Sequence, residues 1–370
     1  MTSNYRLNEL TIEITRKCPM RCTICSSDGG DVDPDELSLV ELSKTVDDSI
    51  KLGVKIISLS GGEPLESPLT IDFIRYVKKN GLKLLLYTCG NIESEKGITS
   101  VSIDKFQLLK EFGVDKVIFS IHGPDAIIHE RITTKKGSFQ NLITSINNAQ
   151  KTGHFVELHF VPVLHNYQYL PQVVKLSKDL GIQQVSILRF VPQGRGATNR
   201  KDLEITDEKI QDFKEILRET YSISTMKIRL GAPFNCFNID NQAKCTAGIN
   251  KAIIRPDGFV FPCVSMKKII EEKMTNRVRD VSLQKIWETS EIFNIIRLYQ
   301  KSEKRSQCTG YNNALLCRGC VTQKRLLVQK NLVLNTDPYC SQKTNEKSNS
   351  SILDQTVKVE GGVAFESVES

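Results

Sequence analysis

Residues 10–25 read Leu10-Thr11-Ile12-Glu13-Ile14-Thr15-Arg16-Lys17-Cys18-Pro19-Met20-Arg21-Cys22-Thr23-Ile24-Cys25, and this stretch decides the fold. Leu10 to Thr15 is a strand-like run. Cys18, Cys22 and Cys25 follow at once, at Cys-x3-Cys-x2-Cys spacing. Three thiolates on one tight loop can hold three irons of a 4Fe-4S cube. No fourth cysteine lies near in the sequence, so one iron keeps an open position for a substrate or cofactor. Parallel α/β architectures gather their chemistry at the carboxyl ends of the strands, and a ligand-bearing loop directly after the first strand obeys that rule.

Outward from this loop, short β-branched runs alternate with longer amphipathic segments, the signature of repeated βα units and a parallel sheet. The strand candidates are Leu10 to Thr15, Lys55 to Ser60, Lys83 to Thr88, Lys116 to Ile121, Phe155 to Val161 and Gln184 to Phe190. Helix candidates lie between them near 38–52, 67–80, 101–113, 138–152 and 169–180. Gly53, Gly81, Gly113, Gly153 and Gly181 follow their ends, as helix C-termini prefer. The regular pattern stops after a helical stretch near 207–219. Six units predict an α/β fold, a partial (β/α)6 TIM-like barrel over residues 1–225. A small cysteine-rich α+β auxiliary-cluster domain is expected over 226–342. Residues 343–370, rich in Lys, Ser, Asn and Glu, read as a disordered tail.

The chain has 370 residues, 39% hydrophobic and 25% charged, with no apolar run near the ~18 residues of a membrane span. It reads as soluble, with no membrane partner. The absence of a signal-peptide pattern predicts a cytoplasmic location. Eleven cysteines in such a chain predict metal or redox sites rather than a disulfide framework. The net charge of +7 is dispersed, with no aromatic-interleaved basic patch, which argues against nucleic acid as a partner.

The second strand candidate ends in Ser60-Gly61-Gly62-Glu63-Pro64-Leu65. Two glycines let the backbone approach a ligand without an intervening Cβ, and the glutamate offers a negative acceptor to an amino group. The cysteine triplet and this loop, at consecutive strand ends, resemble the radical S-adenosylmethionine (radical SAM) superfamily over residues 7 to about 200. The resemblance implies that Cys18, Cys22 and Cys25 bind three irons of a 4Fe-4S cluster, the catalytic centre, and that S-adenosyl-L-methionine (SAM) chelates the fourth. Reduction then cleaves SAM to methionine and a 5′-deoxyadenosyl radical, which abstracts hydrogen from the substrate while the protein orients it and excludes water.

The resemblance further implies that Gly61, Gly62 and Glu63 meet the SAM amino group and that Thr88, Asn91 and Ser120 contact its ribose and methionine part. Ile24 departs from the family, where the residue before the third cysteine is more often aromatic; an aliphatic side chain can still pack on adenine. Arg131 and Arg189 are candidates to pair with the SAM carboxylate, against an ordinary structural or solvated role. His122 reads as an acid–base group or an ordinary loop histidine, and Cys89 as a cavity residue or a buried free thiol.

Seven cysteines remain: Cys236, Cys245, Cys263, Cys308, Cys317, Cys320 and Cys340. Between Cys245 and Cys263 two strand runs flank an Asp257-Gly258 turn, a hairpin that brings its flanking cysteines together. With Gly258-x4-Cys263, this resembles the SPASM and twitch auxiliary-cluster domains. In the second half of that motif Tyr311 stands where a cysteine is usual, and Cys320 comes one residue early. One assignment gives an auxiliary 4Fe-4S cluster to Cys236, Cys245, Cys263 and Cys320 and a second to Cys308, Cys317 and Cys340. There the fourth ligand is water, substrate, Tyr311 or another group. The alternative is one cluster on Cys245, Cys263, Cys317 and Cys320, since spacing does not fix connectivity. Cys317-x2-Cys320 alone would suggest a zinc ribbon.

The resulting expectation is a radical SAM enzyme that oxidises, cross-links or epimerises a peptide or protein, peptide modification being inferred by analogy. An electron donor such as a flavodoxin or ferredoxin is an expected partner. Residues 1–9 leave no room for an N-terminal leader-peptide-binding domain, so a partner protein would supply that role. The rivals are a dehydrogenase or epimerase of a small molecule, such as a sugar or antibiotic precursor, and a non-catalytic iron-sulfur electron carrier that binds no SAM.

Overall fold

The computed structural model describes residues 5–237, 239, 241, 243–267, 276–301 and 339. Cys308, Tyr311, Cys317, Cys320, Cys340 and the expected tail lie outside the described residues. The six expected βα strands are present as β1 (Glu9–Glu13), β2 (Ile56–Ser60), β3 (Lys83–Thr88), β6 (Lys116–Ile121), β7 (Val156–Phe160) and β8 (Gln184–Ile187). A two-stranded ribbon, β4 (Asn91–Ser94) and β5 (Gly97–Ser100), is inserted after β3. Asn91, an expected SAM contact, is the first residue of this ribbon.

Helices α1 (Leu39–Lys51), α2 (Thr70–Lys79), α3 (Ile103–Glu111), α4 (Ala126–Thr133), α5 (Ser138–Lys151) and α6 (Leu170–Asp179) provide the crossovers. The start of α1 is fixed by a capping box: Ser38 Oγ accepts from the Glu41 N–H, and the Glu41 carboxylate accepts from the Ser38 N–H at 2.8 Å. The five glycines after the helices all have positive φ, the left-handed geometry that ends a helix without a Cβ penalty. Two short helices, α7 (Arg195–Thr198) and α8 (Arg200–Leu203), precede α9 (Asp207–Ile223).

The sheet continues past the expected boundary at residue 225. β9 (Lys227–Leu230) adds in parallel to β8. At the opposite edge β10 (Lys251–Ile254) pairs in parallel with β1, Leu10 opposite Ala252 and Ile12 opposite Ile254. The expected hairpin is completed by β11 (Val260–Phe261), antiparallel to β10. The full order is β11-β10-β1-β2-β3-β6-β7-β8-β9, an open barrel-like sheet. Thus β9 and β10, both beyond residue 225, share the sheet of the preceding core. Two last helices, α10 (Leu283–Thr289) and α11 (Glu291–Lys301), follow.

One face of the strands carries Leu10, Ile12, Ile57, Leu59, Leu84, Leu86, Val117, Phe119, Leu158 and Val185, all buried with helix residues such as Val46, Phe73 and Ile146. Burying such side chains contributes about 1.5–3 kcal/mol each. The alternate positions, set by the period-2 pleat, are Thr11, Glu13, Ile56, Ser58, Ser60, Leu85, Tyr87, Ile118, Ser120, Glu157, His159 and Ser186. The face turned away from the helices is therefore largely polar, with Ile56, Leu85 and Ile118 as its apolar members, a lining for a ligand rather than a packed core.

Candidate active site

At the carboxyl ends of β1 and β2 the two loops are zipped together by main-chain hydrogen bonds. Ile14 N donates to Ser60 O (2.9 Å), Gly62 N to Thr15 O (2.8 Å) and Glu63 N to Lys17 O (2.7 Å). The contact is too close for side chains: a Cβ on Gly61 would lie 2.5 Å from Thr15 O, and one on Gly62 would overlap Lys17 O. Gly61 also has φ +140°. The glycine pair thus first lets the second loop touch the cysteine loop, a use the sequence reading had given to the ligand.

The cysteine loop closes on itself, with Cys18 N donating to Gly30 O (2.8 Å) and Gly30 N to Arg16 O (2.7 Å). Gly29 packs between Cys18 and Gly62, where a Cβ would stand 3.1 Å from both. Arg195, in α7, clamps the loop from outside: Nε donates to Cys22 O (3.0 Å) and a terminal nitrogen to Gly29 O (2.9 Å). Gly196 N reaches Cys25 O at 3.4 Å. An open cavity of about 360 Å3 beside the loop is lined by Arg16, Arg21, Asp28, Asp31, Asp33 and Arg195 among others.

Burial raises the Cys22 thiol, and the neighbouring Cys25 and Cys18 add to the rise. Among the described residues no three His, Cys, Asp or Glu side chains converge as a single ion would need; a cube takes each thiolate on a separate iron and needs no such convergence. The residues present fit an iron-sulfur cube: three neighbouring thiols, a loop whose carbonyls are occupied by Arg195 and Gly196, and glycines that keep side chains out of the seat. Cys89 Sγ donates to Asn91 O at 3.4 Å, and the neighbouring Cys89 and Cys18 thiols shift each other, Cys18 down and Cys89 up.

Glu63 is fully buried, and its carboxylate accepts from Leu65 N (3.2 Å), Thr88 Oγ1 (2.9 Å) and Cys89 N (2.8 Å). Burial pushes it up to about 7 against these bonds. Glu63 and Thr88 together tie the β2 end to the β3 end. Asn91 Nδ2 bonds Cys89 O and Ser138 O, while its buried Oδ1 has no hydrogen-bond partner among the described residues. Ser120 lies on the polar face. Arg131 is exposed in the last turn of α4, and Arg189 stacks 3.9 Å over the Tyr339 ring. His122, at the β6 end, is buried against His129 and pushed down to about 4 by that burial, so it is neutral at neutral pH.

Two charged groupings on the polar face had no sequence signal. Glu157 accepts from Lys116 Nζ (2.8 Å), His159 Nε2 (3.0 Å) and Ser186 Oγ; burial pushes its carboxyl up, but these bonds outweigh it and hold it low. Nearer the cysteines, buried Lys267 donates to Glu13 and to Ser27 Oγ, and Ser27 donates to Glu13 at 2.7 Å. Lys267 lies just beyond Cys263, so this group joins the auxiliary segment to the cysteine loop. Of the auxiliary cysteines described, Cys236 is buried, Cys245 is exposed and accepts from Gln300 Nε2 (3.4 Å), and Cys263 contacts Ser265 Oγ (3.1 Å). Arg195 and Lys267 were missed in the sequence. Gly194-Arg195-Gly196 after the sixth strand was a weak strand-end signal, and Lys267 had none.

Comparison with known proteins agrees with this geometry. Residues 12–177 match the family model described as the radical SAM superfamily, and residues 245–321 match SPASM, an iron-sulfur cluster-binding domain. The AdoMet-dependent heme synthase of Methanosarcina barkeri is 25% identical over 371 residues, covering 94% of this chain and 99% of that protein. The PqqA peptide cyclase of Gluconobacter oxydans is 24% identical over 342 residues, 90% of each. Among solved structures, Streptococcus suis SuiB bound to S-adenosylmethionine superposes with a TM-score of 0.67 at 14% identity, covering 91% of this chain and 76% of that one. No helix among the described residues is long and apolar enough to cross a membrane. The chain thus carries a radical SAM domain and, C-terminal to it, a SPASM domain, which imply an enzyme that uses 4Fe-4S clusters and SAM.

Proposed function

We propose that this enzyme abstracts a hydrogen atom from a peptide or protein substrate and leaves it oxidised, cross-linked or epimerised. The observation that carries the reading is the closed loop of Cys18, Cys22 and Cys25, zipped to the Gly61-Gly62-Glu63 loop at the mouth of a polar-lined sheet. When bound, the reduced cluster and SAM supply a 5′-deoxyadenosyl radical there. The chain's own part is to hold three thiolates on a clamped loop, to keep side chains off the seat through Gly29, Gly61 and Gly62, and to present Thr88, Asn91 and Ser120 toward the cofactor. Glu63 acts as a positioning residue for Thr88 and Cys89. The auxiliary segment brings Lys267 to the same mouth, where the substrate would stand between two clusters. Cys236, Cys245 and Cys263 are the described candidates for auxiliary ligands.

A peptide substrate is supported by the relative named PqqA peptide cyclase. The relative named AdoMet-dependent heme synthase favours a second reading, oxidation of a small molecule. Anaerobic reconstitution, incubation with SAM and dithionite, and assay of 5′-deoxyadenosine test the shared chemistry. A SAM-dependent loss of mass from a candidate precursor peptide supports the first reading. Turnover on a small molecule with no peptide modified contradicts it.

A further inference from the structure

One row of residues crosses the inner face of the sheet at a single level. Ser120, His159, Ser186 and Arg229 are paired in register on β6, β7, β8 and β9. Each is next to last in its strand, so all four stand near the carboxyl ends, where the chemistry of such a sheet gathers. Ser120, at one end of the row, is among the residues proposed to face the cofactor. Arg229, at the other end, lies on the edge strand. Three strand spacings separate the two, roughly 14 Å along the sheet, which is the reach of about four extended residues.

The contacts of Arg229 lay it along this row. Its Nε donates to Ser186 Oγ (2.8 Å), and one terminal nitrogen stands 3.4 Å from His159 Nε2 and 3.5 Å from the Glu157 carboxylate. The other terminal nitrogen has no partner among the described residues, and the side chain is 46% exposed. Glu157 does not depend on this cation: it is buried and already accepts from Lys116 Nζ (2.8 Å), His159 Nε2 (3.0 Å) and Ser186 Oγ. Burial, with the Arg229 and Lys116 charges, lowers His159 below its usual value despite Glu157, so the ring adds no charge at neutral pH. Lys116 and Arg229 are therefore set against one carboxylate. The other charged groups of this face are closed pairs, Glu9 with Lys251 (2.6 Å) and Glu13 with Lys267, and the exposed Lys83 and Lys227 at the amino ends of β3 and β9. A half-exposed guanidinium with an open edge, in a group with one positive charge in excess, is suited to take a carboxylate side-on.

Resting on the peptide reading above, we infer that Arg229 anchors a side-chain carboxylate of the substrate, so that the peptide carries an Asp or Glu within about four residues of the position that loses hydrogen. Ser186 fixes the guanidinium in place. His159, with Tyr87 edge-on to it at 5.3 Å, walls the face between the anchor and the mouth.

The test uses the full-length protein, anaerobically reconstituted and loaded with SAM. It is challenged with a soluble library of random, C-terminally amidated dodecapeptides, and the bound peptides are sequenced by mass spectrometry. Wild type is expected to enrich Asp and Glu; Arg229→Gln loses that enrichment, and Arg229→Glu selects Lys and Arg instead. Changing the selected acid to its amide weakens binding to wild type about tenfold and binding to Arg229→Gln by less than about twofold, a coupling that a purely structural arginine would not produce. Unchanged iron content and circular dichroism report an intact fold. Arg218→Gln, exposed on α9, keeps the wild-type preference. No acidic preference in wild type, or the same preference in Arg229→Gln, overturns the anchor. The acid-to-amide exchange on wild type needs no variant, so equal binding there overturns the anchor even if a variant misfolds. Selected acidic peptides that bind through Arg229 yet are never modified with SAM and dithionite, by mass and chiral amino-acid analysis, overturn the proposed function and leave the anchor standing.

Discussion

The loop of Cys18, Cys22 and Cys25 and the segment carrying Cys236, Cys245 and Cys263 solve one problem in opposite ways. In the first, all three thiols sit on one loop after one strand, and local hydrogen bonds from Cys18 to Gly30 and from Gly30 to Arg16 close it. In the second, the cysteines are spread over a buried turn, an exposed approach to β10 and the end of β11. Their placement depends on the barrel: β10 on β1, Lys267 on Glu13 and Ser27, and Arg279 on Glu41. Chemistry held locally is specified by spacing, while chemistry held non-locally needs the fold around it. The auxiliary segment is built onto the first strand and reaches the radical-cluster loop through Ser27.

The largest expected effect separates the two regions outright. Replacing Cys18, Cys22 and Cys25 together by alanine removes about four irons per chain and all SAM cleavage, with the C-terminal iron retained on iron and sulfide counting. Loss of all iron would mean that the auxiliary region cannot hold its metal without the first site.

Lys267→Met probes the joint between them. It leaves Glu13 buried without its cation, which costs about 3–5 kcal/mol in denaturant unfolding. Adding Glu13→Gln recovers most of that loss; equal, additive costs would show that the two residues do not act as a pair. Gly62→Ala forces the β1 and β2 loops apart at a cost of about 1–3 kcal/mol. Iron at the first site falls and auxiliary iron does not, a difference resolved by counting iron in the Cys18/Cys22/Cys25 variant background.

The smallest effect lies at the surface joint. The Arg279 guanidinium holds the Glu41 carboxyl down to about 2. A depressed carboxyl contributes stability that is present above its unfolded value and lost as pH falls from about 4.5 toward 2. Because the pair is partly exposed, the contribution is at most about 1 kcal/mol. Glu41→Gln therefore lowers stability at pH 7 by at most about 1 kcal/mol and flattens the acid limb of the Tm–pH curve, the difference from wild type vanishing as pH falls toward 2; a loss at pH 7 as large as that of Lys267→Met would contradict this ranking.

The same contrast explains what was legible in the sequence. The six barrel strands and the helix-ending glycines carry their signals in periods of two and 3.6, and the cysteine triplet and Gly61-Gly62-Glu63 fall at strand ends where the fold needs them. Helix α4 escaped notice because Gly123-Pro124 reads as a turn and only eight residues follow Asp125. β9 is a four-residue run with two charges, Lys227-Ile228-Arg229-Leu230, too polar to stand out. The β10–β11 hairpin was legible from its Asp257-Gly258 turn, but its pairing with β1 was not, since register between distant strands leaves no local mark. Arg195 and Lys267 act across the fold in the same way: each is an ordinary cation until tertiary contact aims it.

The central claim is an iron left open by three thiolates and filled by SAM. Low-temperature electron paramagnetic resonance tests it most directly, on the dithionite-reduced variant Cys236→Ala with Cys245→Ala and Cys263→Ala, before and after SAM is added. The account predicts a 4Fe-4S signal that shifts its g-values on addition of SAM, with 5′-deoxyadenosine formed on turnover. A cluster signal indifferent to SAM would contradict it.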